Sequence, residues 1–209
     1  MLSDTEISDS LALYGAAPNA VLCERIRAYV SLLLRWNERI SLTTVTDPHE
    51  ILKFHFGESF VAVPSVPINF GRLADVGSGA GFPGIPLAML VPELQVTLIE
   101  SNLKKTAFLS EVVRTLDLPH VSVLRSRMEN LQSNLPAFDF VSARAVGAFD
   151  DLLAWSASAL TASGKLILWI SWQDAAGIAR TPGWSWREPI HISGSRARFL
   201  LIGSPARAK

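Results

Sequence analysis

Residues 72–90, RLADVGSGAGFPGIPLAML, open on a short apolar run that ends in an acid, turn through three glycines in five positions, and continue into an apolar stretch punctuated by Pro83 and Pro86. A strand that runs at once into a tight turn and a helix is the first half of a βαβ unit. The alternation continues: apolar segments at 72–76, 95–100, 121–126, 138–146 and 165–170 are separated by helical stretches over 83–91, 102–116 and 148–160. That pattern predicts an α/β fold, a Rossmann-like parallel sheet buried on both faces. The C-terminal part departs from it. The segments 186–193 and 197–204 are both strand-like, and the short Gly-Ser turn between them leaves no room for a helix, so they predict an antiparallel hairpin at the sheet edge.

Ahead of the first strand the pattern is helical. Leu22, Ile26, Tyr29, Val30, Leu33, Trp36 and Ile40 recur every three to four residues as one apolar stripe. Asp47, Pro48 and Glu50 form a helix-start signature, and a Pro-containing connection over 65–71 leads to the sheet. The expected organisation is an N-terminal helical segment over 1–64 packed on a main domain over 65–209. The helical segment either shapes substrate docking or caps the sheet.

Composition narrows the class. Half the chain (49%) is apolar and the formal net charge is zero, as in an ordinary globular protein. A single cysteine, Cys23, rules out a disulfide framework and a cysteine metal cluster and fits a reducing cytoplasm; no metal is expected. The N-terminal decapeptide lacks a charged-then-apolar leader, and no apolar run approaches the roughly 18 residues of a membrane span. Residues 1–140 hold 11 Lys/Arg against 15 Asp/Glu, and residues 141–209 hold 8 against 4. A polyanionic partner must therefore be met by a local basic patch. Candidates are Lys104 with Lys105, Arg125 with Arg127, and Arg196 with Arg198, each of which alone reads as a solvated charged face.

Three ligands use a glycine turn between a first strand and its helix. A nucleoside triphosphate loop would have Lys and Ser/Thr after its last glycine, where this chain has Ile85 and Pro86 after Gly84. A dinucleotide fingerprint would have a third glycine where Phe82 stands. S-adenosylmethionine carries an ammonium and a sulfonium, which Asp75 complements, whereas a pyrophosphate at the same turn would be repelled. Gly77 and Gly79 allow close backbone approach, and Gly81 permits the turn into the helix. Glu100, 25 residues after Asp75 at the end of the next strand, is placed to accept two ribose hydroxyls, a feature that dinucleotide folds share. The combination points to S-adenosylmethionine. Ligands of open α/β sheets lie beyond the carboxyl ends of the strands, which brings Met128 and Glu129 toward an adenine ring and Arg144 to the mouth of the crevice. Taken singly, these three read as a core methionine, a helix-start acid and a surface arginine.

Over nearly its whole length the chain resembles the bacterial small-subunit ribosomal RNA methyltransferases that modify a guanine N7, also called glucose-inhibited division protein B. The resemblance is carried by LLLRWNERISLTTVTDPHEILKFHFGES, by DVGSGAGFPGIPLA with its Phe-Pro-Gly-x-Pro, and by ESNLKKTAFL, SRMEN and ARAV. It implies a class I S-adenosylmethionine-dependent methyltransferase with a mostly parallel seven-stranded sheet. It also implies that Gly77, Phe82, Met128, Glu129 and Arg144 contact the cofactor, with Asp75 and Glu100 in the general roles of that class. The implied partner is 16S ribosomal RNA or the small ribosomal subunit, without a membrane, and the protein is expected to act as a cytoplasmic monomer. The chain departs from the family pattern at Ser41, Phe54, Glu58 and Ala143-Arg144-Ala145, and most of all at Ile170-Ser171, where the family has Lys-Gly. The departures fall on the substrate side.

Guanine N7 carries a lone pair and no proton, so its methylation needs positioning and no general base. No residue is therefore assigned as catalytic; His55 and Arg144 are the candidate substrate contacts, and for His55 a packing or capping role fits equally. Trp169, Trp172, Trp184 and Trp186 either stack on a displaced base or cover an apolar core. Two rival readings stand beside this one: a related methyltransferase with another RNA or a small-molecule acceptor, and a non-catalytic S-adenosylmethionine-binding protein.

Overall fold

The structure is a computed structural model that describes residues 2–131, 136–144, 147–195 and 197–206. Helix α1 (Asp4–Ala12) begins at a capping box, in which the Ser3 hydroxyl accepts from the Glu6 N–H and the Glu6 carboxylate accepts from the Ser3 N–H. Asn19 caps α2 (Ala20–Asn37), whose stripe of Leu22, Ile26, Tyr29, Val30 and Leu33 is buried. Asp47 caps α3 (Pro48–Ile51) as the sequence predicts. That helix does not stop at Ile51. It widens into a π-helical turn over Leu52–Gly57 and continues as α4 (Glu58–Phe60), followed by a last turn, α5 (Ala62–Ser65).

The sheet then builds outward from its centre. Five parallel strands, β1 (Gly71–Val76), β2 (Leu94–Glu100), β3 (Val121–Arg125), β4 (Phe138–Arg144) and β5 (Leu160–Ser171), alternate with α6 (Gly84–Leu90), α7 (Leu103–Thr115) and α8 (Phe149–Ala159). A short helix the sequence pattern does not predict, α9 (Trp172–Ile178), follows β5 and is capped by the Ser171 hydroxyl. The C-terminal strands β6 (Trp184–Trp186), β7 (Ile190–His191) and β8 (Arg198–Pro205) give the order β3-β2-β1-β4-β5-β8-β6, with β7 also paired to β8. Seven positions are filled, as expected, but the outermost is split into β6 and β7, so the sheet counts eight strands. Pro189 lies in the break, where it has no N–H to give to a ladder.

Neighbouring residues of the strands face opposite layers. Ile167, Trp169, Leu200 and Ile202 join a large apolar cluster with α1, α2, α6 and α7, whereas Leu166, Leu168, Ile170 and Leu201 join a smaller one with α8 and α9. The N-terminal helices thus share one contiguous core with the sheet. No helix among the described residues is long and apolar enough to cross a membrane.

Candidate active site

The glycine turn sits at the carboxyl end of the central strand β1, and the side chain that organises it points inward. Asp75 is buried; its Oδ1 accepts from the Ser142 hydroxyl at 2.6 Å and its Oδ2 from the Gly84 N–H at 3.3 Å. Strand β4 and the start of α6 are therefore tied to β1 through one carboxylate. Ser78 closes the turn by donating its hydroxyl to the Asp75 carbonyl at 2.8 Å. Burial lifts the Asp75 carboxyl to about 6, and the Ser142 and Ser78 hydroxyls and the Gly84 N–H hold back part of that rise.

Helix α2 clamps the same turn from outside the sheet. The Tyr29 hydroxyl donates to the Ala80 carbonyl, and its ring stacks on Phe82 with centroids 5.1 Å apart and planes 9° from parallel. Gly81 has φ +89°, and a Cβ there would stand 2.5 Å from the Tyr29 oxygen, so position 81 admits only glycine on both counts. The other face of Phe82 meets His55, at 4.6 Å between ring centroids. Nothing local in the sequence announces this clamp, because Tyr29 occupies an ordinary stripe position.

The π-helical turn explains how His55 arrives there. A π turn sets one extra residue into a helix and is often found at functional sites. Here the Phe54 carbonyl accepts from Arg144 Nη2 at 2.6 Å, and the His55 Nε2 lies 2.8 Å from the Thr43 hydroxyl. Burial, with the charges of Arg144 and Arg198, lowers His55 to about 4, so the imidazole is neutral at physiological pH. Next to it, the buried Glu58 carboxylate lies 2.7 Å from Arg144 Nη2 and 3.4 Å from Arg198 Nε. Burial raises Glu58 against the pull of both arginines and lowers Arg144 to about 10. Arg144 therefore stays charged and largely compensated. Its Nη1 is buried and has no hydrogen-bond partner among the described residues.

These elements enclose a cavity of about 220 Å³. Of the sequence candidates, Gly77, Gly79, Phe82, Arg144 and His55 line it, together with Leu42, Thr43, Ser78, Ala80 and Lys105. Asp75 and Glu100 stand behind the wall. The Glu100 Oε2 accepts from the Gly79 N–H at 3.0 Å and its Oε1 from the Asn102 N–H at 2.8 Å, so each oxygen keeps a lone pair for another donor. Met128 is buried in the smaller apolar cluster at the start of a 3₁₀ turn, and Glu129 beside it is exposed. Neither lines the cavity.

The tryptophans divide. Trp169 is fully buried and donates its indole N–H to the Glu58 carbonyl at 2.5 Å, which makes it core. Trp184 and Trp186 stack on each other at the sheet edge with centroids 5.2 Å apart, while Trp172 is 56% exposed and packs on Phe199 of β8. Ile170, at the position of the missing lysine, is buried and pairs across the sheet with Phe199, and Ser171 beside it pairs with Arg198. Of the basic pairs, Arg125 and Arg127 are exposed and Lys105 reaches the cavity. Arg196, Ala145 and Val146 lie outside the described residues.

Solved structures share this architecture. The chain is similar to the ribosomal protein L11 methylase of Lactobacillus delbrueckii subsp. bulgaricus, with TM-score 0.61 at 15% identity, covering 72% of this chain and 78% of that one. It is also similar to the glycopeptide N-methyltransferase MtfA in complex with S-adenosylmethionine, with TM-score 0.63 at 12% identity, covering 73% and 94%. At those identities the likeness shows the class I methyltransferase fold alone. Sequence relatives are nearer. A ribosomal RNA small subunit methyltransferase G of Xanthomonas euvesicatoria pv. vesicatoria is 37% identical over 193 residues, covering 91% of this chain and 90% of the relative. One of Xylella fastidiosa is 44% identical over 140 residues, covering 67% and 65%. The sequence profile described as rRNA small subunit methyltransferase G matches residues 22–179, from the clamping helix through the five parallel strands to α9, and the chain belongs to that family.

Proposed function

We propose that the protein transfers the methyl group of S-adenosylmethionine to N7 of a guanine in 16S ribosomal RNA. The observation that carries this reading is Arg144, a cationic residue on the wall of a glycine-lined cavity whose buried Nη1 has no hydrogen-bond partner among the described residues. A donor left in that state costs stability unless a ligand completes it, and a carboxylate such as the amino-acid end of S-adenosylmethionine does so. Gly77 and Gly79 would let that end approach the backbone. Glu100, with a lone pair free on each oxygen, would accept the ribose hydroxyls, and Met128 and Glu129 would flank and bond the adenine. In this reading Asp75 is a positioning residue that holds the turn through Ser142 and Gly84.

When bound, the cofactor supplies an electrophilic methyl: the N7 lone pair forms the new N–C bond as the C–S bond breaks, and the positive charge passes from sulfur to the guanine ring. No proton moves. What the chain contributes is geometry and a suitable field. A neutral His55 and an Arg144 offset by Glu58 keep excess positive charge away from a reaction whose reacting centre is cationic throughout. Leu42, Thr43, His55 and Lys105 form the wall left for the substrate base, which makes the helical segment 1–64 part of the working site and the 65–209 domain its cofactor half. We take the protein to act as a cytoplasmic monomer, in keeping with its buried, unpaired Cys23.

The test is methyl incorporation from labelled cofactor into small ribosomal subunits that lack the modification, with 7-methylguanine mapped by chemical cleavage. One labelled guanine is expected. Absence of label, with cofactor binding intact by calorimetry, overturns the reading.

A further inference from the structure

A second cleft adjoins the cavity and has a different chemistry. It encloses about 500 Å³ between the end of α2 and the first turns of α7, and Arg35, Trp36, Arg39, Ile40, Lys104 and Glu111 line it. The same two segments line both spaces with different residues. Ile40 and Lys104 line the cleft, and Leu42, Thr43 and Lys105, one to three positions further along the same two segments, line the cavity.

The charge in the cleft is only partly balanced. Glu111 is satisfied from within: its Oε1 accepts from Arg35 Nη2 at 2.6 Å and its Oε2 from the Trp36 indole N–H at 2.9 Å. Trp36 is further fixed by an edge contact to Phe108, with centroids 5.8 Å apart. Arg39 and Lys104 are exposed, and neither forms an ion pair among the described residues. The α7 amino terminus adds to their field, since Lys104 lies in the first turn of that helix of 13 residues. In a chain of zero net charge, two unbalanced cations at the edge of a cleft with an apolar floor form a local anion site.

We propose that this cleft holds the sugar-phosphate backbone of RNA beside the base that enters the cavity, with Arg39 and Lys104 contacting phosphates and Trp36 and Ile40 bearing the ribose or base. The proposal rests on the reading of the cavity as the site where an RNA base is methylated. A strand whose base is displaced into a site must run its backbone over the adjoining surface, and the two segments that run from the cavity to this cleft make it that surface. Phosphate contacts of this kind set register and affinity and carry a salt dependence that counts them.

The experiment compares wild type with Arg39→Glu/Lys104→Glu, and with Arg72→Glu/Arg180→Glu as a control of equal charge at exposed positions that line neither the cleft nor the cavity. Binding of unmodified 16S RNA transcript is measured between about 50 and 200 mM KCl in the presence of S-adenosylhomocysteine, cofactor affinity by calorimetry, and methyl transfer in parallel. The cleft variant is expected to bind RNA at least about tenfold more weakly and to lose about 1.4 from the slope of log affinity against log salt, the share of two single-strand phosphates. Its cofactor affinity stays within about twofold of wild type, a bound set by a contact energy near zero. The control keeps the wild-type slope. Equal losses in both variants, or a cleft variant that binds as wild type does, overturn the proposal. RNA binding that depends on the cleft without methylation by wild type overturns the functional reading and leaves the cleft standing. A wild type that binds no RNA overturns both.

Discussion

Asp75 and His55 sit on opposite sides of the glycine turn and respond to acid in opposite ways. His55 titrates near 4 in the fold against an ordinary 6.5, so its contribution to stability is complete above pH 6.5 and is lost as pH falls through 4. Asp75 titrates near 6 against an ordinary 3.8, so its contribution is complete below pH 3.8 and is lost as pH rises through 6. Between pH 4 and 6 the two slopes oppose each other. His55→Gln removes one of them. Its stability by urea denaturation, relative to wild type, is expected to improve on going from about pH 7 to about pH 4 by on the order of 2–3 kcal/mol; a constant difference across that range would show that His55 does not titrate low. Residue types at the turn were legible in the sequence, and their directions were not. Asp75 reads from the pattern as a ligand for cationic groups, yet its carboxylate is turned to Ser142 and Gly84, and Ser142 carries no signal of its own.

At the scale of elements, the helix from Pro48 to Phe60 shows where a local pattern misleads. Its start is legible from Asp47, Pro48 and Glu50, but its π turn is not, because the side chain that reaches the Phe54 carbonyl is Arg144, 90 residues away. Deleting one exposed residue of the turn, Lys53, should restore a regular helix and rotate the preceding turns relative to His55 by roughly 100°. The variant is expected to retain its far-ultraviolet circular dichroism while its methyl transfer falls by more than about tenfold, the effect of misplacing a positioned group by an ångström or more. Unchanged turnover would show that the π turn is incidental. The strands and the longer helices, by contrast, follow their periodicity closely: the helices predicted over 83–91, 102–116 and 148–160 are observed as Gly84–Leu90, Leu103–Thr115 and Phe149–Ala159. Period and length suffice for buried parallel strands. They do not reveal α9 or the break around Pro189 at the edge, where few contacts enforce either choice.

The helical segment is sewn into the larger of the two apolar clusters that flank the sheet, so binding at the turn should stabilise the segment and the sheet together. At a cofactor concentration of about 100 Kd the expected gain is about 2.7 kcal/mol, which for a chain of this size raises Tm by about 5–10 °C. Calorimetry should show a single transition that moves as one; a cofactor-insensitive shoulder would mean that the helical segment melts independently. The sequence made the sheet and the glycine turn legible at this scale because their signals are contiguous. The rest of the cavity wall stayed obscure, since it is assembled from Leu42, Thr43, His55, Lys105 and Arg144, which lie far apart in the chain. That assembly has a consequence for how the protein is made. The Tyr29 hydroxyl reaches 51 positions ahead to hold Ala80, and the Phe54 carbonyl waits 90 positions for Arg144. A chain emerging from its amino terminus therefore presents its first helices before the surfaces they close upon exist, and the cavity lacks part of its wall until the fourth strand has been made.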